Sequence, residues 1–282
     1  MSSPRLVATC WTSAGDVRPL DVPERSPYPA SERVRAVADG GWAGIGFAQG
    51  DLEVVRDTTG FAELAVAIRD AGLDHVEVEL ATDWWLEPGR WRPRVDLLFA
   101  AADALGANVV KVGTAFSSPL TDLTPLVDPL RRLAIEAGRH DVRLALEPLP
   151  FSMVGSLPAG AELVHQVDHP SCGLTVDAWH VFRAGTSLAQ LRECLRPGDV
   201  VCVELDDADA RPVGTLFEDT RDRRRYCGEG DFDLAGFVDV VRGTGFDGPW
   251  GVEILSQEHR ALPLVEGLRR AFDSTTRLLT HA

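Results

Sequence analysis

Lysine is almost missing from this chain of 282 residues: Lys111 is the only one, and the other basic residues are arginines. Acidic residues outnumber basic ones by 43 to 28, which gives a net charge of −15. A charge of this sign repels a phosphate backbone, and nucleic-acid-binding proteins usually concentrate basic residues on one face. A nucleic acid is therefore not expected as a partner.

Long apolar runs are also absent. No stretch approaches the roughly 18 apolar residues of a membrane span, so no membrane contact is expected. The amino-terminal segment MSSPRLVATCW lacks the charged and apolar regions of a signal peptide, and a cytoplasmic location is expected by default. The five cysteines are scattered and never spaced as CxxC, which argues against a disulfide framework and against a zinc–thiolate site.

What the sequence does contain is an alternation of short β-rich runs and longer amphipathic stretches, repeated eight times. The predicted strands span residues 6–10, 44–47, 75–80, 109–112, 142–147, 173–177, 200–205 and 250–254. The predicted helices span residues 31–39, 61–71, 94–105, 124–137, 159–167, 187–195, 233–241 and 262–279. Eight β-then-α units predict a single (β/α)₈ TIM barrel over residues 1–282, because open doubly wound sheets usually have fewer strands and a Gly-rich phosphate loop.

Carboxylates end four consecutive predicted strands. Glu147, Asp177, Glu204 and Glu253 lie at or near the ends of LALEP, GLTVDAWH, VVCVEL and WGVEIL. An unpaired buried charge costs several kcal/mol, so acids at these positions are expected to converge on a cation. Ligands that are all carboxylates suit Mn²⁺ or Mg²⁺ better than zinc. The alternative is that one or two of them form salt bridges on the rim and face away from the lumen.

Longer motifs extend this pattern. EPLPF, DAWH, VELDDAD, RRRYCGEGDFDL and GFDGPWGVEI resemble the xylose isomerase-like barrels of the sugar phosphate isomerase and epimerase family, from about residue 38 to the last helix. The resemblance implies a metal held by Glu, Asp, His and Glu, with the two glutamates moving protons on opposite faces of a ketose. Glu147, Asp177 and Glu253 match this set. Glu204 stands where the family most often has His, with the family's next Asp at Asp207, so its role as a ligand stays open.

The resemblance also implies substrate-binding residues. His180 follows Asp177 in a D-x-aromatic-H arrangement that positions a substrate hydroxyl or carbonyl in similar enzymes. The alternative is a histidine hydrogen-bonded at a helix start. Arg224 and Arg225 precede GEG as an arginine precedes PGxG in the family, where it reaches the substrate or a metal-bound oxygen. Because three arginines are adjacent, the choice between them stays open.

Four further residues are weaker candidates for substrate binding. Strand parity predicts that Glu79 and Lys111 point into the barrel, although Glu79 in a structural ion pair and Lys111 directed outward between helices are alternatives. Trp11 and Trp179 fall in or beside loops that follow strands, where a flat ring can stack on a sugar. Tryptophans are, however, more often part of the core.

The expected function is that of a divalent-metal-dependent isomerase or epimerase. It would act on a ketose or keto-polyol through an enediolate, with Glu147 and Glu253 exchanging protons with carbon. The alternative is a lyase on the same scaffold: a keto-inositol or dehydroshikimate-type dehydratase, or an enzyme that cleaves 3-keto-glycosides by β-elimination. Both use the same residues, so the sequence does not separate them. The expected partner is a small sugar or polyol-derived molecule, and a homo-oligomer is left open.

Two other classes fit the sequence less well. A metal-dependent endonuclease on a similar barrel would need more histidines at strand ends and a basic surface. A barrel that binds sugar without catalysis would keep the cavity but show no proton transfer.

Overall fold

The computed structural model describes residues 4–281, and its strands form one closed parallel barrel in chain order. The strands are β1 (Leu6–Ala8), β2 (Gly44–Ala48), β3 (His75–Ala81), β4 (Val109–Val112), β5 (Arg143–Leu146), β6 (Cys172–Asp177), β7 (Val200–Leu205) and β8 (Trp250–Val252). The barrel closes because β1 pairs in parallel with both β2 and β8. The predicted (β/α)₈ architecture is confirmed.

Helices surround the barrel. Those in residues 4–281 are α1 (Cys10–Ser13), α2 (Ala30–Asp39), α3 (Gln49–Asp57), α4 (Phe61–Asp70), α5 (Arg92–Leu105), α6 (Thr124–Arg139), α7 (Leu157–Val167), α8 (Ala178–Arg183), α9 (Leu188–Cys194), α10 (Leu216–Asp222), α11 (Leu234–Gly243), α12 (Gln257–Arg260) and α13 (Leu264–His281). Sequence periodicity misses α1, α3, α8, α10 and α12. Each has nine residues or fewer, which is too short for a clear helical repeat.

Within the described part of the chain, every helix is too short or too polar to cross a lipid bilayer.

The interior of the barrel is polar, whereas barrel interiors are usually filled by branched apolar side chains. Lys111 of β4 contacts Glu77 and Glu79 on the neighbouring β3, and Glu204 across the lumen on β7. Gly251, the register partner of Glu204 on β8, lets the backbones of β7 and β8 approach closely. A Cβ at Gly251 would lie 2.4 Å from a backbone oxygen of β7 and 3.5 Å from Glu204 Cγ. Alternation along the strands thus brings buried acids inside.

Candidate metal centre and active-site cavity

Four carboxylates meet at the carboxyl end of the barrel. Asp177 and Glu204 are register partners on β6 and β7, and Glu147 and Glu253 directly follow β5 and β8. One oxygen from each carboxylate lies within 4.8 Å of the other three. Active sites of TIM barrels form at this end of the strands, so the four acids predicted from the strand ends occupy the position where chemistry is expected.

Arg224 is one of two cations buried among these acids. Its Nη1 donates to Asp177 Oδ2 at 2.7 Å and to Asp206, and it lies 3.1 Å from Glu253 Oε2. Thr220 Oγ1 accepts hydrogen bonds from Nε at 3.1 Å and from Nη2 at 2.9 Å, which fixes the guanidinium plane. Arg224 is only 2% exposed, so it holds the acids in place from within the protein.

Lys111 is the second buried cation. Its Nζ lies 3.0 Å from Glu77 Oε2 and 2.9 Å from Glu79 Oε2, and it donates to Glu204 Oε1. The side chain is 1% exposed. Its position inside the barrel agrees with strand parity, but three carboxylates already occupy its ammonium group.

Negative charge exceeds positive charge in this cluster. Within residues 4–281 its permanent cations are Lys111 and Arg224, against seven carboxylates: Glu77, Glu79, Glu147, Asp177, Glu204, Asp206 and Glu253. Glu204 Oε2 and Asp206 Oδ1 are buried without a hydrogen-bond partner. A hard dication takes oxygen ligands at about 2.0–2.6 Å, so opposite ligands lie up to roughly 5 Å apart. The charge, the donor atoms and the spacing fit a divalent cation.

The crowding of acids shifts their pKa values in two directions. Burial, aided by repulsion from Glu253, raises the pKa of Glu204 well above its usual range. Burial also raises the pKa of Glu253 to about 8, although Arg224 acts against it. Burial alone would raise the pKa of Glu147, but the hydrogen bond and charge of His180 outweigh it and lower that pKa. Without a metal, part of the cluster therefore holds protons near neutral pH.

Adding Mn²⁺ is expected to raise the melting temperature more at pH 8.5 than at pH 6. The folded-state pKa of Glu253 is raised from 4.5 to about 8, so its contribution to metal-free stability is complete below pH 4.5 and is lost as the pH rises through 8. A bound dication offsets that loss. A ligand at about 100 times its dissociation constant adds about 2.7 kcal/mol, or roughly 5–10 °C for a chain of this size. Scanning fluorimetry over this pH range measures the effect.

Glu253→Gln should reduce the pH trend, because an amide does not titrate, while Glu204, whose pKa is also raised, keeps part of it. Glu147, whose pKa is lowered, titrates below this window and does not contribute to the trend. A Mn²⁺-induced shift of equal size at both pH values would contradict the prediction.

A cavity of about 290 Å³ opens beside the acids. Its lining includes the polar residues Glu79, Glu147, Glu253, His180 and Thr220 and the apolar residues Trp11, Leu149, Phe116, Phe151 and Phe217. The volume lies near the lower limit of ligand pockets, roughly 300–1,000 Å³. A lining that combines aromatic rings with acids suits a small ring that presents both carbon and oxygen.

His180 lies between the cavity and the acids. Its backbone N donates to Asp177 Oδ1 at 2.8 Å, so Asp177 caps α8 and fixes the histidine. Its Nε2 lies 3.4 Å from Glu147 Oε1 and 3.4 Å from Arg224 Nη2, while Nδ1 is buried without a partner. The ring is thus positioned to exchange a proton with Glu147 or with a bound molecule.

The tryptophans differ in position. Trp11 lines the cavity, as do Glu79 and His180. Trp179 does not: it is fully buried, and its Nε1 donates to Asp219 at 3.1 Å. Its ring packs edge-on against His180, with centroids 5.1 Å apart. The expected stacking of Trp179 on a sugar is therefore not supported by its position, and Trp179 instead supports His180.

Arg224 and Arg225 lie on opposite sides of the chain that follows β7. The backbone of Arg225 forms an antiparallel bridge with Asp207, and neighbours in extended backbone point to opposite faces. Arg224 therefore reaches the acids, while Arg225 pairs with Asp209 at 2.6 Å on the surface. The structure does not bring Arg225 to the cavity. Lys111 and Arg224 also do not line the cavity, although both contact the acids.

Several residues at the site were not predicted from the sequence motifs. Phe151 and Asp206 lie inside the motifs EPLPF and VELDDAD, which is the signal that could have found them. Asp207, placed as the family's Asp, accepts backbone hydrogen bonds from the loop at residues 228–232. Phe217 and Arg94 also line the cavity, but no local pattern marks them.

The fold is a parallel eight-stranded barrel, with acids at the strand ends and a cavity beside them. These features define the class of TIM barrels with an acidic site whose oxygens suit a metal ion. The family model of the xylose isomerase-like TIM barrel matches residues 34–275. The chain belongs to that family.

Two relatives and one solved structure show the range of similarity. A 3-dehydroshikimate dehydratase of Pseudomonas putida is 32% identical over 183 residues, 62% of this chain and 28% of that protein. An inosose isomerase of Halalkalibacterium halodurans is 26% identical over 156 residues, 55% of this chain and 54% of that protein. The matched part is thus about half of these relatives or less. The IOLI protein with a binding zinc atom has a TM-score of 0.78 at 18% identity over 98% of each chain, which indicates a shared fold.

Proposed function

We propose that the chain catalyses the metal-dependent removal of a proton from the carbon beside the ketone of a small cyclic polyol, followed by loss of water. One observation carries the proposal: four carboxylates offer oxygens within 4.8 Å of one another, beside a cavity of about 290 Å³. A site this acidic does not attract an electron-rich substrate unless a cation is bound there.

The cation would be held by Glu147, Asp177, Glu204 and Glu253. Carboxylate donors favour Mn²⁺ or Mg²⁺, and such an ion acts as a Lewis acid that makes the hydrogen next to a carbonyl more acidic. Arg224 and Lys111 keep the four acids in place, since each contacts members of the set.

Glu147 is the proposed base, because the facing His180 keeps its pKa low and it lines the cavity. It accepts the proton from carbon. His180 donates a proton to the departing hydroxyl, which leaves as water. The 3.4 Å contact between Glu147 Oε1 and His180 Nε2 lets the abstracted proton pass to the imidazole, so both groups return to their starting states.

Dehydration is placed before isomerisation because the two relatives with 32% and 30% identity are 3-dehydroshikimate dehydratases. The motifs alone favour the reverse order. Isomerisation is the second candidate, because three relatives with 24–26% identity are inosose isomerases. In that case Glu253, which also lines the cavity, would return the proton to carbon.

Proton NMR in D₂O is expected to distinguish the two reactions. With Mn²⁺ present, the chain is tested on 3-dehydroshikimate, inososes, ketoses and 3-keto-glycosides. A dehydratase yields a product that has lost water, and a glycoside-cleaving lyase releases an aglycone. An isomerase yields a product of unchanged composition that carries deuterium beside the carbonyl. EDTA should stop each reaction and Mn²⁺ should restore it; no exchange on any of these ketones would contradict the proposal.

A further inference from the structure

Arg94 lies at the edge of the cavity, in the first turn of α5. Among the described residues that line the cavity it is the only arginine or lysine. Within residues 4–281 its guanidinium forms no hydrogen bond or ion pair. Arg92, in the same turn, is by contrast occupied by Glu136 at 2.8 Å and by Asp96 at 2.7 Å. The free guanidinium therefore remains available to a ligand.

Arg94 lies in a cavity whose other charged residues are mostly acids. Glu24, Glu79, Glu147 and Glu253 line the same cavity, so an anionic ligand would meet repulsion on those sides. Glu24, the acid that lines both the cavity and the outer depression beside Arg94, is already engaged, since its Oε2 accepts from the backbone N of Leu20 at 2.6 Å. Arg94 is thus the position where the cavity can accept negative charge.

The local backbone favours a carboxylate over a phosphate. Phosphate sites usually add backbone N–H groups at a helix N-terminus. In α5 those groups are taken: Pro93 has none, and the N–H groups of Arg94 and Val95 donate to Trp91 O at 3.0 and 3.3 Å. A single guanidinium fork is left, and it matches the two oxygens of a carboxylate.

We propose that Arg94 selects a ring substrate that carries a carboxylate, which it binds while the ketone end of the ring faces the acids. The proposal rests on the proposed enolate chemistry for the orientation of the ring. It separates the two reactions chemically, since a dehydroshikimate-type ring carries a carboxylate and an inosose does not. Arg94 determines specificity and does not touch the reacting carbon.

Calorimetry on the full Mn²⁺-loaded chain tests this with two matched probes, 3,4-dihydroxybenzoate and its neutral amide. Both present neighbouring oxygens to the cation, and only the acid offers a carboxylate. Arg94→Gln is expected to weaken binding of the acid by roughly 10- to 100-fold and to leave the amide unchanged. Arg25→Gln is the control, because Arg25 lines only the outer depression beside the cavity. Unchanged binding of the acid to Arg94→Gln, equal weakening by Arg25→Gln, or no binding of the acid by the parent chain would overturn the proposal.

Kinetics separate this inference from the proposed function. If ketones are turned over, Arg94→Gln should raise KM for carboxylated substrates only, with kcat preserved. The same KM change for neutral ketones would overturn the role of Arg94. If the probes discriminate as expected but no ketone exchanges or dehydrates, the enolate chemistry fails and the carboxylate site remains.

Discussion

Glu147→Gln is expected to lower kcat by about 10²- to 10⁴-fold, the usual contribution of a positioned base. The amide cannot accept a proton from carbon, yet it keeps an oxygen that can face a cation. Glu253→Gln should cause a comparable fall if the reaction is isomerisation, because the second proton carrier is lost. In a dehydration that runs through Glu147 and His180 its effect should be smaller. Steady-state rates of both variants measure the difference.

A surface variant controls for the loss of one carboxylate as such. Glu162→Gln removes an exposed acid on α7 whose partner is Gln166, and kcat should not change. Thermal unfolding checks that the site variants fold. Glu253→Gln should leave the metal-free protein at least as stable at pH 8, because burial disfavours the charge that the substitution removes. Full turnover by Glu147→Gln would rule out the proposed proton transfer.

The strand ends made the acid cluster readable from the sequence. Apolar runs that finish in Glu147, Asp177, Glu204 and Glu253 must be parallel strands of one barrel, and parallel strands share a carboxyl-terminal rim. Side chains alternate between the two faces of a strand, and all strands of the barrel run in the same direction. These two regularities place the four side chains without any knowledge of the loops. The positions of His180 and Arg224 depend on the turns that follow, and motif resemblance supplied them.

The sequence did not predict the positions of residues that depend on packing between helices and strands. Arg94 lines the cavity from the first turn of α5, and no spacing in the chain encodes that. The sequence does not distinguish Arg224 from Arg225. The backbone bridge between Arg225 and Asp207 does, because it directs the two side chains to opposite faces. Trp179 fits a stacking surface or a core position equally well in sequence. Its hydrogen bond to Asp219 resolves that choice.

The polar lumen of the barrel contains Lys111, the only lysine of the sequence, at a position where an arginine would fit less well. Guanidinium groups are planar and larger than an ammonium group. Lys111 serves three carboxylates on two sides of the barrel from a single Nζ. A compact donor with three hydrogens matches that arrangement. The bond to Glu204 Oε1 leaves Oε2 free, so the lysine also orients the acid whose role as a ligand the sequence left open.

Lys111→Met is expected to destabilise the metal-free protein by about 3–5 kcal/mol at pH 7, the usual loss when one partner of a buried ion pair is removed. Methionine fills a similar volume but leaves Glu77, Glu79 and Glu204 without their counter-charge. In the parent chain burial opposes ionisation of Glu77, yet Lys111 and His75 lower its pKa to about 2. Urea unfolding of both proteins measures the difference.

The expected loss of stability comes from charge, and an exposed ion pair provides the control. Arg5→Met breaks an exposed pair with Asp74, whose side chains are 52% and 63% exposed, and should cost about 0–1 kcal/mol. Adding Glu77→Gln to Lys111→Met should recover part of the loss, because it removes the carboxylate whose pKa Lys111 lowers. Burial raises the pKa of Glu77 once Lys111 no longer opposes it, so the deficit should shrink as the pH falls toward 5. A Lys111→Met protein as stable as its parent at pH 7 would contradict the prediction that Lys111 offsets the buried charge of Glu77.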